Sequence, residues 1–89
     1  MKIFVIKDVK VGVYQKPICA EHEQVIFRTL TQIVNGPIEN NLLASNPEDF
    51  QVFTLGTFDD KSGKIEVTEP EFVENVIAFK IQPGVNKNV

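Results

Sequence analysis

The chain has 89 residues, of which 43% are hydrophobic and 24% are charged, and its formal net charge is −3. A chain of this length supports one hydrophobic core, so we expect a single domain over residues 1–81. The composition is that of a globular protein and excludes disorder throughout. No apolar run approaches the ~18 residues of a membrane helix, and the one cysteine, Cys19, excludes an internal disulfide.

Charge is distributed unevenly along the chain. Residues 1–16 have a net charge of +3, residues 17–79 of −8 and residues 80–89 of +2. If the two ends meet in the fold, a basic patch forms on an acidic molecule, and a phosphate backbone responds to that local field. The alternative is that the lysines are scattered and only keep a small domain soluble.

The first residues predict strands. Residues 1–7 (MKIFVIK) are apolar on both faces, as in an inner strand. Every second residue from Val9 to Val13 is a valine, which is typical of a half-exposed strand. Two alternatives stay open between these segments: a turn at Asp8, or one long bent strand. Residues 15–17 end this part, because a proline gives the ladder no donor and restricts the residue before it.

A helix is predicted over Glu21–Val34. Its apolar positions at i, i+4, i+7 and i+8 form one stripe with a 3.6-residue period. These positions are Ile26, Leu30, Ile33 and Val34. The helix is expected to stop at Asn35-Gly36-Pro37, because such residues tolerate or require a break in helical geometry.

The middle of the chain predicts a loop and then a strand. Residues 38–47 are rich in asparagine and lack periodicity, so we interpret them as a loop with a short helical turn around Asn41–Ala44. Residues 50–58 (FQVFTLGTF) predict a strand. Gly56 within it predicts a bulge.

The last part predicts a hairpin and a final strand. Residues 59–64 (DDKSGK) suit a hairpin loop, since aspartate starts a type I turn and Gly63 can adopt a positive φ. Residues 64–67 predict the returning strand, and residues 68–70 are expected to break it at a proline. Residues 73–81 end in a predicted final strand.

The order of these elements predicts an α+β fold. We expect a mostly antiparallel sheet of about four to five strands with one helix packed on one face. A small barrel of the oligonucleotide-binding type has a similar number of strands and stays an alternative. Residues 82–89 are predicted to be a flexible C-terminal tail.

No set of residues points to catalysis or metal binding. Cys19 and His22 are the only Cys/His pair, whereas a structural zinc site needs four ligands. They are better explained as a buried cysteine before the helix and an exposed histidine in its first turn. Asp59-Asp60 fits the hairpin turn, and so small a domain leaves little room for a cavity of ~300 Å³. We therefore expect no enzyme activity, no metal and no cofactor.

One face of the sheet is expected to remain uncovered. Phe50 and Phe58 have the same parity along their strand, whereas Phe53 has the opposite one, so both faces carry an aromatic side chain. One helix covers only one face. The other face must be exposed, bind a ligand or dimerise.

The order and spacing of several motifs resemble a known family, the small non-structural protein of gokushoviruses, which are single-stranded DNA microviruses (Microviridae) of bacteria. The resemblance covers about residues 1–80 and is most specific from Pro47 to Gly63. It is found in Met1-Lys2-Ile3-Phe4, Tyr14, Pro17, the helix with Arg28, Asn46-Pro47-Glu48-Asp49-Phe50, and Leu55-Gly56-Thr57-Phe58-Asp59-Asp60 with Gly63. It implies a phage-encoded non-structural protein in the host (bacterial) cytoplasm that binds DNA. Its implied role is in genome replication or in the switch to single-stranded progeny DNA.

Candidate DNA-binding residues come from charge and exposure. Basic side chains are expected to contact phosphates, and one ring among them, Tyr14, is expected to stack on a base. The basic candidates are Lys2, Lys7, Lys10, Lys16, Arg28 and Lys80. The expected partner is single-stranded DNA, and a viral or host replication protein is a further candidate. The protein is expected to form a homodimer or small homo-oligomer and not to bind a membrane. The alternative function is a protein-interaction adaptor that uses the uncovered sheet face and an acidic loop over residues 69–74.

Overall fold

The computed structural model describes residues 1–81. The protein is a five-stranded antiparallel sheet with one main helix on one face. The strands are β1 (Lys2–Asp8), β2 (Val13–Tyr14), β3 (Ile18–Ala20), β4 (Phe50–Phe58) and β5 (Ile65–Asn75), and the main helix is α1 (Glu23–Val34). The strand order is β2-β1-β4-β5. Strand β4 pairs with one edge of β1, and both β2 and β3 pair with its other edge. The predicted α+β fold is confirmed.

The core lies between α1 and one face of the sheet. Alternate residues of β1, Phe4 and Ile6, point into it, and all four residues from Ile3 to Ile6 are buried, as expected of an inner strand. Ile3 and Val5 lie outside this core cluster, because their side chains point to the opposite face. The other members of the cluster are Ala20, Ile26, Leu30, Val34, Phe50, Val52 and Val76.

Helix α1 begins two residues later than expected and ends where expected. His22 is its N-cap, with extended backbone at φ −139°. At the other end, the Asn35 side chain donates to the carbonyls of Thr31 and Phe79, at 2.7 and 3.0 Å. Its Oδ1 accepts from the backbone N–H of Ile81, at 2.9 Å. Asn35 therefore ties the helix end to the last described residues.

Replacing Asn35 with alanine is expected to lower the free energy of unfolding by about 2 kcal/mol, because two partly buried hydrogen bonds and one exposed hydrogen bond are lost. Urea denaturation followed by circular dichroism measures this. Asn35→Asp keeps only the acceptor for Ile81 and should recover little of the loss. Full stability of Asn35→Asp would contradict the role of the amide as a donor.

Residues 9–12 form a turn, as the alternative of a turn at Asp8 expected, so the strand predicted from the alternating valines is confirmed only at Val13–Tyr14, which form β2. The Asp8 carboxylate accepts from the backbone N–H groups of Lys10 and Val11, and Gly12 has φ +79°. This side-chain capping favours a turn over an extended strand. Strand β3 then follows Pro17 and was not predicted.

The β4–β5 hairpin agrees with prediction over its first half. Strand β4 has the expected bounds, and the pairing shifts register between Thr54 and Gly56, which confirms the bulge. In the loop, the Asp59 carboxylate accepts from the backbone N–H of Lys61, at 2.9 Å, and Gly63 has φ +78°. The hydrogen bond from the Lys61 N–H lowers the pKa of the Asp59 carboxyl below its ordinary value.

The predicted end of the chain is wrong in two respects. Strand β5 runs through Pro70 instead of breaking there, so the expected acidic loop is part of an edge strand. Pro70 is tolerated because it lies in the register shift of an edge strand, where no ladder donor is needed. The predicted final strand is a 3₁₀ helix, Val76–Phe79.

The remaining short elements lie between α1 and β4. A short helix, α2 (Leu42–Ser45), forms where a helical turn was expected, and the side chain of Asn41 caps it by accepting from the N–H of Ala44. A 3₁₀ helix, Pro47–Asp49, leads into β4. The predicted tail, residues 82–89, lies outside the described residues.

Candidate nucleic-acid interface

Three aromatic rings lie side by side on the sheet face opposite α1. Phe53 is the Cα partner of Val5 on β1 and of Phe72 on β5, so these side chains share that face. The Phe53 ring packs edge-on against Tyr14 at 5.7 Å and against Phe72 at 5.9 Å between ring centroids. Tyr14 is 40% exposed and Phe72 is 52% exposed. We call Tyr14, Phe53 and Phe72 the aromatic row; it crosses the sheet from β2 to β5.

Polar side chains lie next to the aromatic row on the same face. Lys7 is the Cα partner of both Tyr14 and Gln51, and Gln51 pairs with Asn75 on β5. The Lys7 ammonium lies 5.1 Å from the centroid of the Tyr14 ring, within the range of a cation–π interaction. The Gln51 amide donates to Asn75 Oδ1 at 3.1 Å. This face therefore combines stacking surfaces with a cation and uncharged hydrogen-bonding groups.

Four of the seven candidate residues lie at or near this face. Lys7 and Tyr14 are in direct contact. Lys10 and Lys16 are exposed and occupy the loops on either side of β2, at the Tyr14 end of the aromatic row. The expected association of Tyr14 with lysines is thus present.

The other three candidates lie elsewhere. Lys2 shares the α1 side of β1 with Phe4. Arg28 is an exposed residue of α1, on the far side of the sheet from the aromatic row. The Lys80 ammonium donates to the carbonyl of Val34 at 3.2 Å, at the end of α1. The structure therefore does not gather all the basic candidates into one patch.

A groove of about 560 Å³ lies between the first turns of α1 and strands β4 and β5. The expectation that so small a domain leaves little room for a cavity is wrong, because β4 and β5 continue past the start of α1. Three glutamates, Glu23, Glu71 and Glu74, line this groove together with Lys2. Three of the twelve acidic residues thus line this groove, which also reaches Phe72 at the β5 end of the aromatic row.

Cys19 and His22 do not form a site. Cys19 is exposed on β3 and not buried as expected, whereas His22 is exposed, as expected. Among residues 1–81, no group of three His, Cys, Asp or Glu side chains is placed to hold a metal ion. Within the same residues, no helix is long and apolar enough to cross a membrane.

The whole aromatic row lies within residues that match a known protein family. A family model described as Phage ORF5 protein matches residues 1–79. The chain belongs to this family. This membership confirms that it is a phage protein, as the resemblance implied. No curated protein and no solved structure matches the chain.

Sequence reasoning missed most of the uncovered face. Phe53 was placed on the face opposite Phe50 but was given no role, and Phe72 was assigned to a loop. Gln51 and Asn75 carry no pattern that distinguishes them from other polar residues. The position of Phe53 along β4 could have predicted the pair, because it places the ring on the uncovered face and the hairpin register then gives Phe72 as its partner on β5.

Proposed function

We propose that this protein binds single-stranded DNA across the uncovered sheet face. The observation that supports this most is the aromatic row, with exposed rings at Tyr14 and Phe72 and with Lys7 beside them. Bases of a single strand stack on such rings, and each stack contributes about 1–3 kcal/mol. Paired bases of a duplex are not available for stacking, so single strands are preferred.

Phosphate contacts are proposed for Lys7, Lys10 and Lys16, which lie at the Tyr14 end of the aromatic row. Lys2, Arg28 and Lys80 are left out because they lie in the groove, on the helix and at the helix end. The overall acidity of the protein is compatible with this proposal, since DNA responds to the local charge. Glu23, Glu71 and Glu74 line the groove that Phe72 also borders, so the local positive charge lies at the Tyr14 end of the aromatic row.

The proposed role is to assist phage genome replication or the switch to single-stranded progeny DNA, in the cytoplasm of the bacterial host. The resemblance to the gokushovirus non-structural protein supports this role, and family membership supports a phage origin. A small domain that holds exposed bases protects a displaced strand without any chemical step. No catalytic activity or cofactor is proposed.

The decisive experiment is fluorescence anisotropy of a labelled single-stranded oligonucleotide, titrated with protein at several salt concentrations. We expect saturable binding that weakens as salt rises and that exceeds binding to a duplex of the same sequence. A folded protein that binds neither DNA at low salt would refute the proposal. Equal binding to both would refute the role of base stacking.

Replacing Lys7 and Lys16 with alanine is expected to weaken binding and to flatten its salt dependence. Each phosphate contact to a single strand contributes about −0.7 to the slope of log K against log salt, so the slope should fall by about 1.4. The matched control removes two other exposed cations, Arg28→Ala with Lys61→Ala. An equal change in the control would show that only net charge matters and would remove the sheet face from the proposal.

Protein binding by the same face is the second candidate function. Exposed aromatic side chains with a polar surround are also typical of protein interaction sites, and Tyr14 and Phe72 fit that description. A nuclease-treated pull-down from infected cells separates the two functions. The adaptor function would be favoured if a viral or host replication protein stays bound after nuclease treatment and the phage protein itself binds no DNA.

A further inference from the structure

The two edges of the sheet carry opposite charges. The basic edge, residues 9–17, contains Lys10 and Lys16, and the carboxylate of the preceding residue, Asp8, accepts from the backbone N–H groups of Lys10 and Val11. The acidic edge is strand β5, Ile65–Asn75, which contains four glutamates and no basic residue. These edges lie at opposite ends of the strand order. The domain therefore presents complementary charges on its two sides.

Both edges also expose apolar side chains. On the basic edge, Val11 is 69% exposed and Val13 is 57% exposed. On the acidic edge, Val67 is 77% exposed and Phe72 is 52% exposed. Apolar surface combined with opposite charge favours contact between unlike edges, since burial supplies affinity and charge supplies the choice of partner.

The strand register places the charges at matching levels across the sheet. The N–H of Gln15 donates to the carbonyl of Ile6 at 2.8 Å, so the next residue, Lys16, lies near the level of Val5. Val5 pairs with Phe53, which pairs with Phe72 on β5, directly after Glu71. A second copy placed side by side in the same orientation therefore brings its Lys16 to the level of Glu71 of the first copy along the strands. Glu71 belongs to the α1 side of the sheet, so the long Lys16 side chain reaches it across the edge.

Contacts between like edges are disfavoured. Two acidic edges would place eight glutamates together, and two basic edges would place four lysines together. Such like-charge contacts oppose a two-fold dimer through either edge. The charges favour a head-to-tail arrangement, which leaves one free edge at each end and does not close by itself.

We propose that copies of this protein associate head to tail, with the basic edge of one against the acidic edge of the next, along single-stranded DNA. This inference rests on the proposed function. In this arrangement Phe72 of one copy lies beside the Tyr14 end of the next, so the aromatic row continues from copy to copy. The consequence is cooperative binding to long strands, which is the norm for single-strand binders.

Pro70 and the glutamates also determine the kind of contact. A proline and repeated charges on an edge strand oppose the addition of another strand. The contact is therefore made by side chains, and it is weak unless the DNA holds two copies side by side. We expect the affinity per site to rise about tenfold between an oligonucleotide of about 8 nucleotides and one of about 60.

Two charge-reversed variants test the arrangement. One reverses the basic edge, Lys10→Glu with Lys16→Glu, and the other reverses part of the acidic edge, Glu69→Lys with Glu71→Lys. Sedimentation velocity at low salt, with one protein labelled, compares each alone and the two mixed, without DNA and on the long oligonucleotide. The matched control, Glu39→Lys with Glu48→Lys, makes the same change in net charge at exposed residues outside the acidic edge.

The acidic-edge variant alone should bind the short oligonucleotide and lose the tenfold gain on the long one, whereas the control variant should keep the gain. The basic-edge variant also loses two proposed phosphate contacts, so it is compared only by its pairing without DNA. The mixture should form pairs with one copy of each, because one intact basic edge then meets one intact acidic edge. Wild-type protein that binds the long strand without cooperativity, with no pairing in the mixture, would overturn the proposal. Absence of binding to the short oligonucleotide would refute the proposed function, whereas binding to it with no gain on the long oligonucleotide would overturn the inference alone.

Discussion

Replacing Tyr14 and Phe72 together with alanine is expected to lower the affinity for a short single-stranded oligonucleotide by at least about 30-fold. Each base stacked on a ring contributes about 1–3 kcal/mol, and two rings therefore contribute at least about 2 kcal/mol. Both rings lie at the exposed ends of the aromatic row, so their removal should leave the core intact. Anisotropy titration measures the affinity, and circular dichroism checks the fold.

Two control variants sharpen this result. Tyr14→Phe keeps a ring that can stack and should bind within a few-fold of the wild type. Leu42→Ala removes a more exposed apolar side chain, 63% exposed on α2, and should bind normally. An affinity unchanged in the Tyr14/Phe72 variant would contradict the use of the uncovered face, even if lysine variants still weakened binding.

The elements that the sequence predicted well are those fixed by local chemistry. Helix α1 follows from one apolar stripe and a stop signal, and its last residue, Val34, was predicted. Strand β4 and the loop around Gly63 follow from β-favouring residues next to a turn that needs positive φ. In each case the pattern and its structural cause lie within a few residues of each other.

The elements that were missed depend on contacts between distant residues. Strand β3 has three residues, too few for a period, and it forms because β1 offers an unpaired edge. The apolar residues of Val76–Phe79 suggested a strand, but Val76 is buried in the core and the Phe79 ring lies 5.0 Å from that of Phe27. Packing against α1 decides their conformation, which no local pattern reveals.

The candidate site was predicted in part for the same reason. The uncovered face and Tyr14 could be inferred from helix count, residue parity and neighbouring lysines. The place of Phe72 in the aromatic row could not, because it depends on β5 continuing through Pro70. Nor could sequence show that Lys2 lies in the acidic groove, since the faces of β1 are assigned only once α1 is docked.

Replacing Gly56 with alanine is expected to lower the free energy of unfolding by about 2–4 kcal/mol. Gly56 has φ +146°, which side-chain-bearing residues rarely adopt, and this strain alone costs about 1–3 kcal/mol. A Cβ at this position would also collide with the carbonyl oxygen of Glu66 and lie 2.9 Å from the Val67 Cα. These are backbone atoms, so the β4–β5 pairing itself must shift.

A second glycine of the same hairpin separates strain from collision. Gly63 has φ +78°, and an added Cβ there would meet nothing within 4 Å. Gly63→Ala should therefore cost only about 1 kcal/mol, whereas Gly56→Ala should lower the melting temperature by at least about 10 °C. Thermal unfolding of both variants measures the difference. Equal losses of stability in the two variants would mean that the close approach of β4 and β5 at Gly56 adds no cost beyond backbone strain. Gly56 would then not help to fix the register that pairs Phe53 with Phe72.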